Sequence, residues 1–197
     1  MLLVGLLFLL SLAVFVYFRN AAAQPIARPP GVLCPLAPFQ SAQNLPAAFE
    51  HEGYRLQPVA RFALEARVLG KRLYSTDPGA KLAPVDLALG WGRMSDSRVL
   101  EKISISQGNR FYFWYTPDPP IPLREIALSS ANMHMIPATP ELEQRLKQLK
   151  SGNIVRLQGY LVNVSGPDGF FWNSSLTRED TGNGACELVW VEELAVR

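Results

Sequence analysis

The hydrophobic pattern of the chain begins with an apolar run over residues 1–18, in which Ser11 is the one polar residue. As a helix rising about 1.5 Å per residue, this run covers roughly 27 Å, close to the ~30 Å hydrocarbon core of a bilayer. It therefore predicts a single transmembrane anchor, with the lipid bilayer as its partner. A cleaved signal peptide ending at residue 23 is the alternative, since Ala21 and Ala23 form the small-residue pattern of a cleavage site.

Two sequence signals beside the apolar run favour opposite orientations in the membrane. Arg19 and Arg28 follow the run and only the α-amino group precedes it, which favours a cytoplasmic globular part. The Ala21–Ala23 pattern and the export-like layout favour the opposite side of the membrane. We expect the globular part on that far side, and the cytoplasmic orientation stays open.

Residues 19–48 contain six prolines and read as a tether, or as a strap that packs on the domain surface. The remaining residues, 49–197, are enough for one globular domain with a hydrophobic core.

Period-two alternation of apolar and polar residues is typical of half-buried strands, and it recurs along the globular part. Residues 61–69 show it most clearly, with Phe62, Leu64, Ala66 and Val68 on one face. Further strands are predicted from alternation, aromatic content or flanking turns at residues 110–116, 125–136, 153–164, 170–176 and 186–194.

Helical patterns are fewer. Residues 139–150 predict an amphipathic helix with Thr139 as its cap and Leu142, Leu146 and Leu149 on its apolar face. Two shorter helices are expected at residues 84–89 and 96–102. The fold class is therefore α+β and mainly β: a small OB-like or partly open β-barrel with one amphipathic helix, or an α+β sandwich.

Charge and cysteine content narrow the function classes. Beyond residue 23 the chain contains 18 Lys and Arg and 17 Asp and Glu, so its net charge is close to zero. Nucleic-acid binding usually requires a basic excess, and no nucleic-acid partner is therefore expected. Cys34 and Cys186 predict a possible disulfide if the domain lies in an oxidising compartment, where it would add roughly 4–5 kcal/mol of stability. Two unrelated thiols are the alternative.

No metal or cofactor is expected. The strong nitrogen and sulfur ligands (His51, His134, Cys34 and Cys186) have no short spacing among them. Phosphate-binding, dinucleotide-binding and haem-attachment motifs are also missing from the sequence.

The loop from Ser174 to Glu187 is the candidate ligand site. Ser174, Ser175, Arg178 and Asp180 lie between two apolar segments, and such residues hold an anion or a carbohydrate through hydroxyls, guanidinium and backbone N–H groups. The alternative is a hairpin whose polar side chains satisfy its own backbone. His134 joins the candidate set, although no nucleophile elbow surrounds either serine to complete a Ser–His–Asp triad.

Three blocks of sequence are distinctive: LAPVDLALGWG at residues 82–92, SANMHMIPA at 130–138 and SSLTREDTGNGACE at 174–187. Together they resemble a family of uncharacterised bacterial proteins with one N-terminal apolar segment and a single β-rich domain. The resemblance implies a bacterial source and one intact domain, and it implies no catalytic residue. With the predicted anchor, a bacterial source would place the chain in the inner membrane, and we expect the domain in the periplasm.

These observations favour a non-catalytic function. We expect a membrane-anchored binding or accessory subunit of a bacterial membrane protein complex, with a membrane protein as partner. The alternative is a cell-envelope enzyme or ligand-binding domain that uses the loop from Ser174 to Glu187.

Overall fold

A computed structural model describes residues 24–180 and 182–197 of the chain. The anchor predicted at residues 1–18 and the cleavage pattern after it lie outside these residues. Within them, no helix has the length and apolar character needed to cross a bilayer.

The described residues are mainly β, as predicted. The strands are β1 (Phe39–Ser41), β2 (Phe49–His51), β3 (Tyr54–Leu73), β4 (Val85–Gly90), β5 (Ser104–Gly108), β6 (Phe111–Tyr115), β7 (Ser130–Pro137), β8 (Ile154–Ser165), β9 (Phe171–Trp172) and β10 (Glu187–Val196). The α-helices are α1 (Ser97–Leu100), α2 (Leu123–Leu128) and α3 (Pro140–Gln148), and short 3-10 turns occupy Gly92–Ser95 and Pro167–Gly169.

Five of the strands pair in a ring. β3 pairs with β4, β4 with β7, β10 with β8, and β8 with β3, all antiparallel. β7 and β10 close the ring as a parallel pair. Strands β1 and β2 pair with β3, β9 pairs with β8, and β5 and β6 form a separate hairpin. The ring is irregular because the register shifts in several pairings, including the one between β3 and β8 at Pro58–Ala60.

The core follows the alternation of the strands. Phe62, Leu64, Ala66 and Val68 of β3 are all buried, which confirms the predicted apolar face. The largest hydrophobic cluster takes side chains from all five ring strands and from α3. Burial of this shared face stabilises the ring, since each large aliphatic side chain contributes about 1.5–3 kcal/mol.

Helix α3 confirms the prediction for residues 139–150. Thr139 Oγ1 accepts a hydrogen bond from Leu142 N at 3.2 Å and caps the first turn. Leu142, Leu146 and Leu149 are buried against the ring.

The helix predicted at residues 84–89 is wrong. Val85–Gly90 forms β4, a strand with partners on both edges in the ring, and all six of its residues are buried. A strand buried on both faces shows no period-two pattern, so its apolar run does not distinguish it from a buried helix.

Two other predicted strands are shorter than expected. Residues 125–136 divide at Ser129 into the end of α2 and the strand β7. Of residues 170–176, only Phe171–Trp172 is a strand. The short helix predicted at 96–102 is present as α1, capped by Asp96, whose side chain accepts from Arg98 N.

Residues 24–41, which we call the strap, pack on the domain. Ile26 N donates to Ser151 O at 2.8 Å, and Arg28 Nε donates to Gly152 O at 2.7 Å. Further along, Cys34 N donates to Ser95 Oγ at 3.0 Å. These bonds support the strap interpretation of the proline-rich segment over a free tether.

Candidate functional site

The three blocks that carry the resemblance meet in the ring. The first contains β4, the second contains β7, and the third ends at the start of β10. Asp86 of β4 lies opposite His134 of β7, and His134 lies opposite Leu188 of β10. Residues far apart in sequence are therefore brought to one region by strand pairing.

A cavity of about 170 Å³ opens in this region, between the β5–β6 hairpin and the cavity loop, which we define as residues 174–180 and 182–187. Three aromatic side chains of β6 line it, and the residues facing them come from β7 and the cavity loop. The lining includes Phe111, Tyr112, Trp114, Asn132, Thr177, Arg178, Asp180, Cys186 and Glu187.

A buried ion pair lies in this cavity. Arg178 and Glu187 are in contact through Nη1 and Oε1, and their side chains are only 16% and 1% exposed. Arg178 Nη1 and Glu187 Oε1 therefore pair with each other, whereas Arg178 Nε and Glu187 Oε2 are buried without a hydrogen-bond partner. Burial raises the pKa of the Glu187 carboxyl to about 7, although the Arg178 charge acts in the opposite direction.

Ser175 and Asp180 are joined within the cavity loop. Ser175 Oγ lies 2.7 Å from Asp180 Oδ2 and accepts a hydrogen bond from Thr177 N at 3.1 Å. Ser174 Oγ accepts from Leu188 N at 3.1 Å. Both serines therefore organise the loop backbone. Of the four loop residues proposed as ligand contacts, Arg178 and Asp180 line the cavity and Ser174 and Ser175 do not.

The strap reaches the same loop. Gln40 of β1 accepts a hydrogen bond from Arg178 Nη2 and donates one to the Leu176 carbonyl. Arg178 is thus held between the strap and Glu187.

His134 lies in a second, neighbouring cavity. Its Nδ1 is 2.8 Å from Asp86 Oδ1, and both side chains are buried. The ring of His134 packs 4.6 Å from that of Trp172. The two cavities share Phe111 and Cys186 as lining residues. His134 therefore lies in a cavity adjacent to the one that Arg178 and Asp180 line, and the three residues do not line one cavity.

Arg110 anchors the second cavity, and the sequence analysis missed it. It donates to Asp86 Oδ1 at 2.7 Å and to both carboxylate oxygens of Asp77, and its guanidinium lies 3.8 Å over the ring of Tyr74. Its position directly before the aromatic strand β6 was the feature of the sequence that could have identified it. Glu187 was also missed as a site residue, although a lone carboxylate opens its apolar strand.

The serine–histidine–aspartate triad is not assembled. Ser175 bonds to Asp180, whereas His134 bonds to Asp86 instead.

The disulfide considered between Cys34 and Cys186 is not formed, and both are free thiols. Cys34 of the strap is buried in the core, and Cys186 Sγ lies 3.9 Å from Asn132 Nδ2 beside the cavity. Burial raises the pKa of Cys34 to about 11 and that of Cys186 to about 12, so neither thiol is activated.

Among residues 24–180 and 182–197, no group of three or more His, Cys, Asp and Glu side chains is placed to hold a metal ion. Comparisons of the chain with protein-family models, curated proteins and solved structures find no match.

Proposed function

We propose that the protein is a membrane-tethered, non-catalytic binding domain that takes a small ligand in the cavity between the β5–β6 hairpin and the cavity loop. The buried Arg178–Glu187 pair is the observation that carries this proposal. Buried polar atoms without hydrogen-bond partners are costly and uncommon in folded proteins. Here they occur in a cavity with aromatic walls, which is the usual character of a ligand site.

We further propose that the five-stranded ring is an OB-type barrel. The ring order β3-β4-β7-β10-β8-β3, with its one parallel pair and α3 between β7 and β8, supports it. OB-folds bind ligands on their second and third strands and through the loop between their fourth and fifth strands. The corresponding parts of this chain are β4, β7 and the segment that contains the cavity loop, and the last two of these line the cavity.

The membrane tether rests on the apolar run of residues 1–18 and on the strap. The backbone of Ile26 is bonded to Ser151, and Ile26 follows Phe18 by eight positions. A chain of that length spans at most about 28 Å. In the proposed arrangement, a retained anchor therefore keeps the domain close to the inner membrane, on its periplasmic face.

The proposal keeps the domain non-catalytic, and among the described residues no nucleophile is bonded to a base in either cavity. Ser175 is bonded within its own loop, and the Cys186 thiol has a raised pKa. The enzyme alternative therefore gains no support from the arrangement of these side chains.

A fragment screen on the full chain in lipid nanodiscs tests the binding function. We expect ligands that raise the unfolding temperature of the wild-type protein to lose that effect in Arg178→Ala. The matched control is Arg124→Ala, because the Arg124 side chain is 79% exposed and outside the cavity lining. Ligands that stabilise Arg178→Ala as strongly as the wild type would contradict the proposal.

An accessory-subunit role is the second candidate, and the outer face of the β5–β6 hairpin favours it. Phe113 and Tyr115 alternate on this face and are 56% and 68% exposed. Exposed aromatic side chains of this kind are enriched at protein interfaces. Native purification from membranes should recover a membrane-protein partner that is lost in a Phe113→Ser, Tyr115→Ser variant. A monodisperse monomer without a co-purifying protein counts against this role.

A further inference from the structure

We infer that the domain lies against acidic phospholipids through a basic face beside its tether, an inference that rests on the membrane tether proposed above. The basic face consists of Arg28 of the strap, Lys71 of β3, Lys147 in the last turn of α3 and Lys150 just after it. The contacts that gather these side chains, the shortage of acidic partners and the position of the tether each support this inference.

The four cations come together from three parts of the chain. Lys71 Nζ donates a hydrogen bond to the Lys147 carbonyl at the end of α3. Burial lowers the pKa of Lys71, and the positive charge of Lys150 lowers it further, so these two ammonium groups are close enough to repel each other. Arg28 Nε donates to Gly152 O at 2.7 Å, two residues beyond Lys150. The strap, β3 and the end of α3 therefore share one positively charged face.

Acidic side chains neutralise little of this charge. Among residues 24–180 and 182–197, Lys147 pairs with Glu143, whereas Arg28, Lys71 and Lys150 form no salt bridge. The hydrogen bond from Lys71 to a main-chain carbonyl holds its ammonium group in place without cancelling the charge. The Lys147 side chain is 43% exposed, and the other three residues are partly exposed, so an external anion can approach the face.

The tether meets the domain at this face. Ile26 N donates to Ser151 O at 2.8 Å, and a Cβ atom on Gly152 would lie 2.0 Å from Ile26 O. Ser151 and Gly152 directly follow Lys150 in the chain. Because at most about 28 Å of chain separates Ile26 from the predicted anchor, the basic face lies close to the bilayer in the proposed arrangement.

Acidic phospholipid headgroups match the charge and the position of this face. Each Lys or Arg near an acidic membrane surface strengthens association by about fivefold. The tether also presents these headgroups at a high effective concentration, whereas an acidic soluble protein has to bind from solution. Weak individual contacts are therefore enough to hold the face against the lipid.

Lysine labelling on the full chain in nanodiscs tests this inference. One set of discs contains phosphatidylcholine alone, and the other contains an equal mixture of phosphatidylcholine and phosphatidylglycerol. We expect an amine-reactive reagent to modify Lys71, Lys147 and Lys150 at least about threefold more slowly in the acidic discs, and high salt to remove this protection. Mass spectrometry measures the modification of each lysine.

The other two lysines of the chain are internal controls. Lys81 pairs with Glu52 and Lys102 with Asp118, and the two lysine side chains are 66% and 56% exposed. We expect both to react at similar rates in the two kinds of disc. Protection of all five lysines to the same extent would overturn the inference, because it would show that the acidic surface slows the reagent everywhere.

Two double variants connect the protection to the basic face, with Lys71 as the reporter in both. In Lys147→Gln, Lys150→Gln, we expect Lys71 to react at nearly equal rates in neutral and acidic discs. The matched control is Lys81→Gln, Lys102→Gln, which removes the same net charge from outside the face and should leave Lys71 protected in acidic discs. Equal protection of Lys71 in the two double variants would overturn the assigned face.

The outcomes separate the lipid contact from the tether. Equal labelling of the basic face in neutral and acidic discs, in a chain that stays with the discs, would overturn the lipid contact and leave the tether standing. A chain that separates from both kinds of disc during size-exclusion chromatography would overturn the tether, and the inference would fall with it.

Discussion

Gln40 and Arg178 are 138 residues apart in the chain, and Gln40 Oε1 accepts a hydrogen bond from Arg178 Nη2 at 3.2 Å. The same amide donates from Nε2 to the Leu176 carbonyl at 3.0 Å. Gln40 belongs to β1, which pairs with residues 61–63 of β3. The strap, which follows the apolar N-terminal run in sequence, therefore holds one wall of the cavity.

Replacing Gln40 with Ala should loosen the cavity loop without unfolding the domain. Both bonds are exposed, so the free energy of unfolding should change by less than about 1 kcal/mol. We expect amide hydrogens of the cavity loop to exchange several-fold faster, because local opening costs less without the clamp. Hydrogen-exchange mass spectrometry measures this. Gln43→Ala, two residues beyond the strap, is the control, and equal exchange rates in the two variants would show that Gln40 does not hold the loop.

Asp86 should be one of the most sensitive positions in the domain. Its buried carboxylate accepts hydrogen bonds from Arg110 and Asn132 and is bonded to His134 Nδ1. Asp86→Ala leaves these groups short of a partner, and we expect it to lower the free energy of unfolding by about 3 kcal/mol or more. Urea denaturation provides the measurement. The control is Asp168→Asn at an exposed turn, for which a change within about 0.5 kcal/mol is expected.

A loss for Asp86→Ala no larger than the loss for Asp168→Asn would mean that the buried network contributes little. That result would also mean that the bond to Asp86 does not fix the position of the His134 ring.

Local sequence patterns predicted the strands and helices in which buried and exposed residues alternate regularly. The alternation of Phe62, Leu64 and Ala66 reflects a strand with one buried face, and the cap at Thr139 reflects the chemistry of a helix end. β4 was assigned incorrectly because all six of its residues are buried, and an unbroken apolar run carries no period.

The candidate site was only partly predictable, because its geometry depends on long-range register. Arg178 and Asp180 were chosen for their polar loop, and both line the cavity. His134 meets Asp86 through the pairing of β4 with β7, which brings together residues 48 positions apart, and Arg178 meets Gln40 across 138 positions. One sequence does not reveal such long-range contacts. Glu187 and Arg110 show their importance only when burial removes their access to water.

Gly159 should not tolerate a side chain. It lies in β8 with φ of 156°, and a Cβ atom there would be 1.9 Å from the carbonyl oxygen of Trp190 in β10. Gly159→Ala must therefore separate two ring strands, and we expect a loss of about 3 kcal/mol or more, or insoluble protein. Gly108→Ala is the matched control, because nothing lies within 4 Å of its Cβ position. Similar unfolding midpoints for the two variants would contradict the closed pairing of β8 with β10.

Glu187 should make the domain less stable as the pH rises towards neutrality. Burial raises the pKa of its carboxyl to about 7 from an ordinary value of 4.5, so the folded state binds this proton more tightly than the unfolded chain does. This stabilising contribution is full below about pH 4.5 and is lost as the pH rises to about 7. Glu187→Gln cannot titrate, so its advantage over the wild type should grow by about 2–3 kcal/mol between about pH 5 and about pH 8. Urea denaturation of both proteins at the two pH values gives this difference, in which titrations common to both cancel. Glu179→Gln should show no such growth, and a pH-independent difference for Glu187→Gln would mean that the carboxylate is compensated by Arg178 in the folded state.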